Sequence, residues 1–502
     1  MEKKPNLIKK ANGQSMSTFI FFFLICFIVL LLHFFDFGGA KSGVSSLFIS
    51  YYHSQDDVPA RSCVLNVTDE SSNVDPCSGR YIYVHNLPQR FNDDLLKNCR
   101  AIAKWNDVCW FVSNSGLGPK VEDPRGILSN GSWYSTYQFF LEPIFRARMK
   151  QYRCLTNDSS LASAIYVPFY AGLDVGRHLW GYNVSVRDAL AHELAQWVSA
   201  RPEWKRMWGR DHFVVGGRIS WDYRRNIDND SEWGNNFMNL PESKNMTLLS
   251  IESTLWTNEF AIPYPTYFHP STILEVSQWQ ERMRNQNRKY LFSFVGAPRP
   301  KSKESIRSNL VEQCSQASNS SSTDTCFLLA CRSGKNNKCN DPCEIIRVFQ
   351  NSVFCLQPPG DSHTRRSTFD SILAGCIPVF FHPGSAYVQY LWYFPSNYTK
   401  YSVYIPEEDV RSRRVNIGHR LMSISSIEVE AMREEVIGMI PRIVYANPRN
   451  DGLPEFEDAF DVAIKGVLGR IEAIRRRISQ GEDPSVGFSD WDSRKFDLPS
   501  VV

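Results

Sequence analysis

Short apolar, β-rich runs alternate with helical patterns along most of this chain, and that rhythm leaves few folds open to it. Arg80-Tyr81-Ile82-Tyr83-Val84 reads as a strand, closed by the turn-prone Asn86-Leu87-Pro88. Ala164–Phe169 and His212–Gly217 read as two more. The second half adds Tyr290–Gly296, Ser352–Leu356 and Ile377–Phe381. Helical spacing shows from Asp188 to Trp197. It is plainest where Phe456, Phe460, Ala463, Ile464, Val467, Leu468, Ile471 and Ile474 recur at three and four. Strand–helix alternation in both halves predicts an α/β architecture with two open parallel sheets of the Rossmann type.

The body carrying this pattern runs from Cys77 to Ile478. About 400 residues is too many for one ordinary core, so two domains are expected. The polar stretch Gln286–Lys289 places their boundary, giving 77–288 and 289–478. Aromatic residues make up 13% of the chain, which favours a packed globule over disorder, and no internal repeat is visible. Residues 479–502 form a polar tail.

Ahead of the body, Met16–Phe35 is almost wholly apolar. A run of about 20 residues is what a helix needs to cross a bilayer core. It exceeds the core of a cleaved signal peptide, although Gly38-Gly39-Ala40 has small-residue cleavage character. Lys3, Lys4, Lys9 and Lys10 precede it and should hold residues 1–15 in the cytoplasm. The expectation is a signal anchor at 16–36, a stem at 37–76 and a lumenal body. Of 13 cysteines, Cys26 lies inside the apolar run, leaving an even number suited to disulfides. Sequons at Asn66, Asn130, Asn157, Asn183, Asn229, Asn245, Asn319 and Asn397 fit a glycoprotein. In a lumen the slight positive charge says nothing of nucleic acid. Cys314, Cys326, Cys331, Cys339, Cys343 and Cys355 have spacings that zinc could use, but an oxidising compartment favours disulfides.

The segment Phe354–Gly384 carries the chemistry. It reads as strand, loop, helix and strand, with the loop Pro358-Pro359-Gly360-Asp361 ending the first strand. Arg365 and Arg366 precede a helix expected over Ser367–Ala374. Free amides at a helix N-terminus favour negative charge, and arginine adds forked hydrogen bonds to phosphate oxygens. Asp370, one turn in, is placed to accept from a ribose hydroxyl. Together these parts suit a nucleoside diphosphate; the plain alternative is an ordinary βαβ unit with solvated arginines.

From Cys77 to Leu468 the body resembles the exostosin-like glycosyltransferases, family 47, in the plant branch of xyloglucan galactosyltransferases. The resemblance is carried by Cys77–Val84, Tyr166–Leu173, Gly209–Phe213, Ile262–Pro270, Phe292–Arg299 and the whole block Leu356–Gly384. The chain departs from the branch at His85-Asn86, where Tyr-Asp is usual, and at His363, where Tyr is usual. Both changes bear on the acceptor or donor pocket.

The resemblance implies a GT-B enzyme, two Rossmann-like domains facing a cleft, held as a single-pass type II protein of the Golgi membrane. It implies inverting transfer of galactose from UDP-galactose to xylose side chains of xyloglucan in cell-wall synthesis, without a cofactor and without an essential metal. Arg365, Arg366 and Ser367 would then stabilise departing UDP. Gly360, Ser362 and His363 would line the donor, and Arg299 is a second phosphate contact. A base is sought in the first domain, after a strand: Asp222, Asp174 and His178 meet that condition, whereas Asp211 and His212 begin a strand. Complexes with other Golgi glycosyltransferases are a further implied partnership. Competing readings keep the fold but change the donor, to UDP-galacturonic acid or a pentose donor, or make the chain a non-catalytic scaffold. Asp228-Asn229-Asp230 and Asp490-Trp491-Asp492 have the form of a metal-dependent GT-A triplet, but neither follows a clear apolar strand.

Overall fold

The computed structural model describes residues 75–103, 107–123, 125–128, 131–299, 305–320, 325–331, 338–449 and 455–483. The expected cytoplasmic tail, anchor and stem lie outside these residues, as do Asn66, Asn130, most of the polar tail and the second Asp-X-Asp triplet. Among the described residues no helix is long and apolar enough to cross a membrane.

The alternating pattern folds into two parallel sheets. The first contains β1 (Tyr81–Val84), β2 (Leu155–Thr156), β3 (Ala162–Val167), β4 (His212–Ile219), β5 (Thr247–Glu252) and β6 (Glu259–Ala261). Their order is β2-β1-β3-β4-β5-β6, every pairing parallel. The second contains β7 (Tyr290–Gly296), β8 (Cys326–Ala330), β9 (Ser352–Gln357), β10 (Ile377–Phe380) and β11 (Val403–Tyr404), in the order β11-β10-β9-β7-β8. Parallel strands covered on both faces read as continuous apolar runs, and β3, β5, β9 and β10 are buried almost throughout. Strands β2, β5, β6, β8 and β11 were not among those expected from sequence.

Each sheet order reverses once, between β1 and β3 in the first and between β7 and β9 in the second. Loops leaving such a pair diverge to opposite faces and open a crevice at the carboxyl ends, where ligands of doubly wound sheets bind. Both sheets lie within one unit of the chain, Val74–Val502.

The last described helix, Ala459–Ser479, starts at a capping box made by Asp458 and Asp461. It belongs to the 289–478 stretch of sequence, yet it packs on the first sheet. Phe460 meets Phe145 at 4.8 Å between ring centres, and Arg475 donates to the Ala162 carbonyl at the start of β3. Arg148 and Asp458, both buried, pair at 2.9 Å across the same contact.

Disulfides join Cys77–Cys154, Cys99–Cys109, Cys314–Cys326, Cys331–Cys339 and Cys355–Cys376. The cysteines with zinc-like spacing are therefore disulfide-bonded, except Cys343, which is buried with a free thiol. Among the described residues Cys343 lies beside the Glu122 carbonyl rather than another sulfur.

Candidate active site at the facing sheet edges

Strand β9 stops where Pro358 and Pro359 remove two ladder donors. The chain turns at Gly360, whose N–H donates to the Ser362 carbonyl at 2.6 Å, and enters the helix Arg366–Leu373. Gly375, at φ +61°, ends that helix in the left-handed conformation glycine tolerates and feeds β10.

At the β7/β9 reversal three arginines gather around this loop. Arg365 donates to the Val295 carbonyl at 2.9 Å, Arg307 donates to the Pro359 carbonyl at 3.1 Å, and Arg299 pairs with Asp361. Burial, then the neighbouring Arg307 and Arg299, depress Arg365 to about 9. Burial, then Arg299, depress Arg307 to about 10. Among the described residues the Nη1 of Arg365 is buried without a hydrogen-bond partner. A self-repelling cationic cluster with an unspent donor is short of negative charge, and it stands at the crevice of the second sheet.

Arg366 does not join that cluster. It lies 3.5 Å over the Tyr267 ring, donates to the Thr136 carbonyl at 2.6 Å and pairs with Asp370 at 3.5 Å. Asp370 is buried, and burial raises it to about 6 against the opposing pull of Arg366. Ser367 donates to the side chain of Gln357 at 2.6 Å. His363 stacks face to face on His382 at 4.2 Å, and burial holds His382 down to about 4.

The donor-side loop is gripped by the first sheet. Glu252, the last residue of β5, is buried and accepts from Ser362 Oγ at 2.8 Å, Thr364 N at 2.7 Å and Thr364 Oγ1 at 2.6 Å. Tyr264, just past β6, reaches Thr364 Oγ1 at 3.0 Å. Gln389 exchanges hydrogen bonds with the backbone of Ser253, and Tyr390 donates to Ile251 O at 2.9 Å. The carboxyl ends of β5 and β6 thus face the carboxyl end of β9.

The three candidate bases are not gathered in one place. Asp222 sits on the turn after β4, buried, with one oxygen taking the Arg218 guanidinium at 2.9 Å and the other the Trp233 indole N–H at 2.7 Å. Ser220, two residues earlier, donates to the Glu252 carbonyl at 2.7 Å, so this turn adjoins the donor loop. Asp174 lies on the helix Ala171–Arg177 and pairs with Arg177. Burial raises Asp174 to about 6, opposed by Arg177 and reinforced by Asp188 and Glu193. His178 meets Tyr182 edge-on at 4.6 Å.

Sequence reasoning missed Glu252, Arg307 and Glu142. Glu142 is fully buried and accepts from the amides of Gly172, Leu173 and Gly217. Burial outweighs those amides and raises it to about 8. His85 is not at a pocket: it is buried, edge-on to Trp197, with its Nε2 3.1 Å from that of His212. Of the Asp228-Asn229-Asp230 triplet, Asp228 pairs with Arg225 and Asp230 accepts from Val184 N. Asn157, Asn183 and Asn229 are exposed, while Asn245 and Asn397 are half-buried.

A cationic crevice, a loop fixed across two sheets and carboxylates on the opposite edge can bind a diphosphate and hold a second substrate against it. The exostosin GT47 domain model matches residues 76–421. The chain is 55% identical over 420 residues to the probable xyloglucan galactosyltransferase GT12 of Arabidopsis thaliana, covering 82% of this chain and 81% of that one. It is 52% identical over 435 residues to the Arabidopsis thaliana xyloglucan galactosyltransferase MUR3, covering 86% of this chain and 69% of that one. Among solved structures, a crystal structure of the GtfA/B complex aligns over 67% of this chain and 61% of its own, at 11% identity and a TM-score of 0.33.

Proposed function

This chain belongs to the exostosin GT47 family of glycosyltransferases, and from that premise we propose that it moves galactose from UDP-galactose to xylose side chains of xyloglucan, giving a β-galactoside. Relatives named for this transfer support the choice of sugar and acceptor. The observation that carries the reading is the group Arg299, Arg307 and Arg365 at the reversal point of the second sheet, with an unspent guanidinium donor among them.

Inversion is one in-line displacement. The acceptor hydroxyl oxygen bonds to the anomeric carbon as the bond from that carbon to the β-phosphate oxygen breaks, and the electron pair leaves with UDP. Arg365, Arg307 and Arg299 neutralise the departing diphosphate together with the first amides of the Arg366–Leu373 helix, so no divalent ion is required. Asp370, buried beneath Arg366, orients that guanidinium across Tyr267. Gly360, Ser362, Ser367 and His363 shape the donor loop. Asp222, on the turn that adjoins Glu252, takes the acceptor proton; Asp174 and His178 stand further along the same edge. The two sheets form the halves of a GT-B enzyme. The lysine-flanked apolar run at 16–36 supports a type II anchor in the Golgi membrane, where nucleotide sugars and wall polysaccharides meet.

The test is transfer by the detergent-solubilised full chain from a panel of UDP-sugars to xyloglucan oligosaccharides. Galactose is expected to be incorporated, with EDTA having no effect. Transfer only from UDP-galacturonic acid or a pentose donor would move the donor assignment. No transfer and no UDP binding would leave a non-catalytic scaffold.

A further inference from the structure

Large aromatic rings crowd the loops that leave β3 and β4. Trp180 and Trp233 stack at 4.9 Å between ring centres with only 11° between their planes. Trp233 is 38% exposed, Tyr182 40% and Trp221 63%. Exposed rings are ordinary singly; gathered on one edge they mark a binding surface. The loops carrying these rings are fixed. Gly234 N donates to the Leu179 carbonyl at 2.8 Å, Asn235 N donates to the Asp222 carbonyl at 3.0 Å, and the Trp233 indole donates to Asp222. The patch also continues into the site. Trp221 lies between Asp222 and Ser220, and Ser220 touches the Glu252 that grips the donor loop.

We propose that Trp180, Trp233 and Trp221 form a stacking platform for the neutral glucan backbone of the acceptor, lying outside the sugar that reacts. This rests on the function proposed above and adds the subsite that holds the polymer. A β-linked glucan chain presents flat faces of C–H bonds edged by hydroxyls. Indole rings match both, with an apolar face and a polar edge. The rim supplies polar partners: Asn226, Asp228, Asp230 and Glu232 are exposed on the adjoining loop. Held rings lose little freedom on binding, so the platform suits a long ligand gripped weakly at several points.

The test separates polymer from short acceptor. Full-length Trp180→Ala and Trp221→Ala enzymes are compared with Trp221→Phe by native-gel retardation in soluble xyloglucan, and by kinetics with polymer and with a short oligosaccharide. Each alanine should raise the polymer KM by roughly threefold to tenfold, the range for one ring contact, and Trp221→Phe should restore most of it. UDP affinity and kcat on the short acceptor should stay unchanged. Equal retardation of alanine variants and parent enzyme would overturn the platform even if galactose transfer is intact. Retardation that depends on these rings without galactose transfer would uphold the platform and defeat the proposed function instead. Because Asn229 neighbours the patch, an Asn229→Gln enzyme is run as well. Stronger polymer retention in that variant, with no effect of Trp180→Ala, would show that the rings hold the chain's own glycan and would overturn the proposal.

Discussion

Replacing Arg365 by Met should make the protein more stable and a worse donor binder at once. The guanidinium is depressed from its ordinary range to about 9 by burial and by Arg307 and Arg299. A cation whose folded pKa lies below its unfolded one destabilises the fold at all pH below the folded value. The cost fades as pH rises from about 9 toward the ordinary guanidinium range. At neutral pH, and discounted for partial exposure, that cost is roughly 3–5 kcal/mol. Methionine removes it and forfeits the bond to Val295 O, worth about 1–3 kcal/mol. A body of about 400 residues has an unfolding entropy near 0.8 kcal/mol per kelvin, so Tm should rise by up to about 5 °C. Donor binding moves the other way: a charge-assisted bond to phosphate is worth about 1.5–3 kcal/mol, so UDP should bind roughly tenfold to 150-fold more weakly. Thermal unfolding and titration calorimetry with UDP on the solubilised chain read both quantities. A Tm lowered by several degrees with unchanged UDP affinity would refute the reasoning, making Arg365 a structural tether.

Asp222→Asn should lower kcat by about a hundredfold or more while leaving UDP affinity intact; full turnover by the folded variant would remove Asp222 as the base. Glu252→Gln puts an amide against three donors, so the donor KM should rise by about tenfold, measured against UDP-galactose at saturating acceptor. Arg148→Met strands the buried Asp458 and should cost about 3–5 kcal/mol in denaturant unfolding, much of it recovered when Asp458 is also changed to Asn. Asp174, raised to about 6, binds its proton more tightly folded than unfolded, so its contribution to stability falls as pH climbs from about 4 to 6. Asp174→Asn should flatten the Tm profile over that window, and an unchanged slope would show that burial of Asp174 does not set it.

The parts legible in the sequence were those with a local signal. Strands β1, β4, β7 and β9 announce themselves by apolar β-rich runs with turn residues behind them, and Pro358-Pro359-Gly360 marks the donor loop. Strand β5 was overlooked although Thr247-Leu248-Leu249-Ser250-Ile251 has the same character, and Glu252 was lost with it. Arg307 carries no motif; its role comes from the Pro359 carbonyl, 52 residues away. Adjacent arginines in sequence looked equivalent, but extended backbone at Arg365 and helical backbone from Arg366 send them to opposite partners, Val295 and Thr136. Asp222 satisfied a topological rule, whereas its engagement by Trp233 required the fold of a loop with no periodicity.

The return of the Ala459–Ser479 helix to the first sheet has a consequence in time. Arg148 waits for Asp458, 310 positions later in the chain. At ordinary synthesis rates of about 5–20 residues per second, that gap lasts roughly 15 to 60 s. From the synthesis of β6, at Ala261, to that of Phe460, roughly 10 to 40 s at the same rates, the first sheet is made but uncovered on the face where Phe145 awaits Phe460. A nascent chain of this protein therefore spends tens of seconds as a client for folding helpers, and a truncation removing only the last helix would extend that state indefinitely.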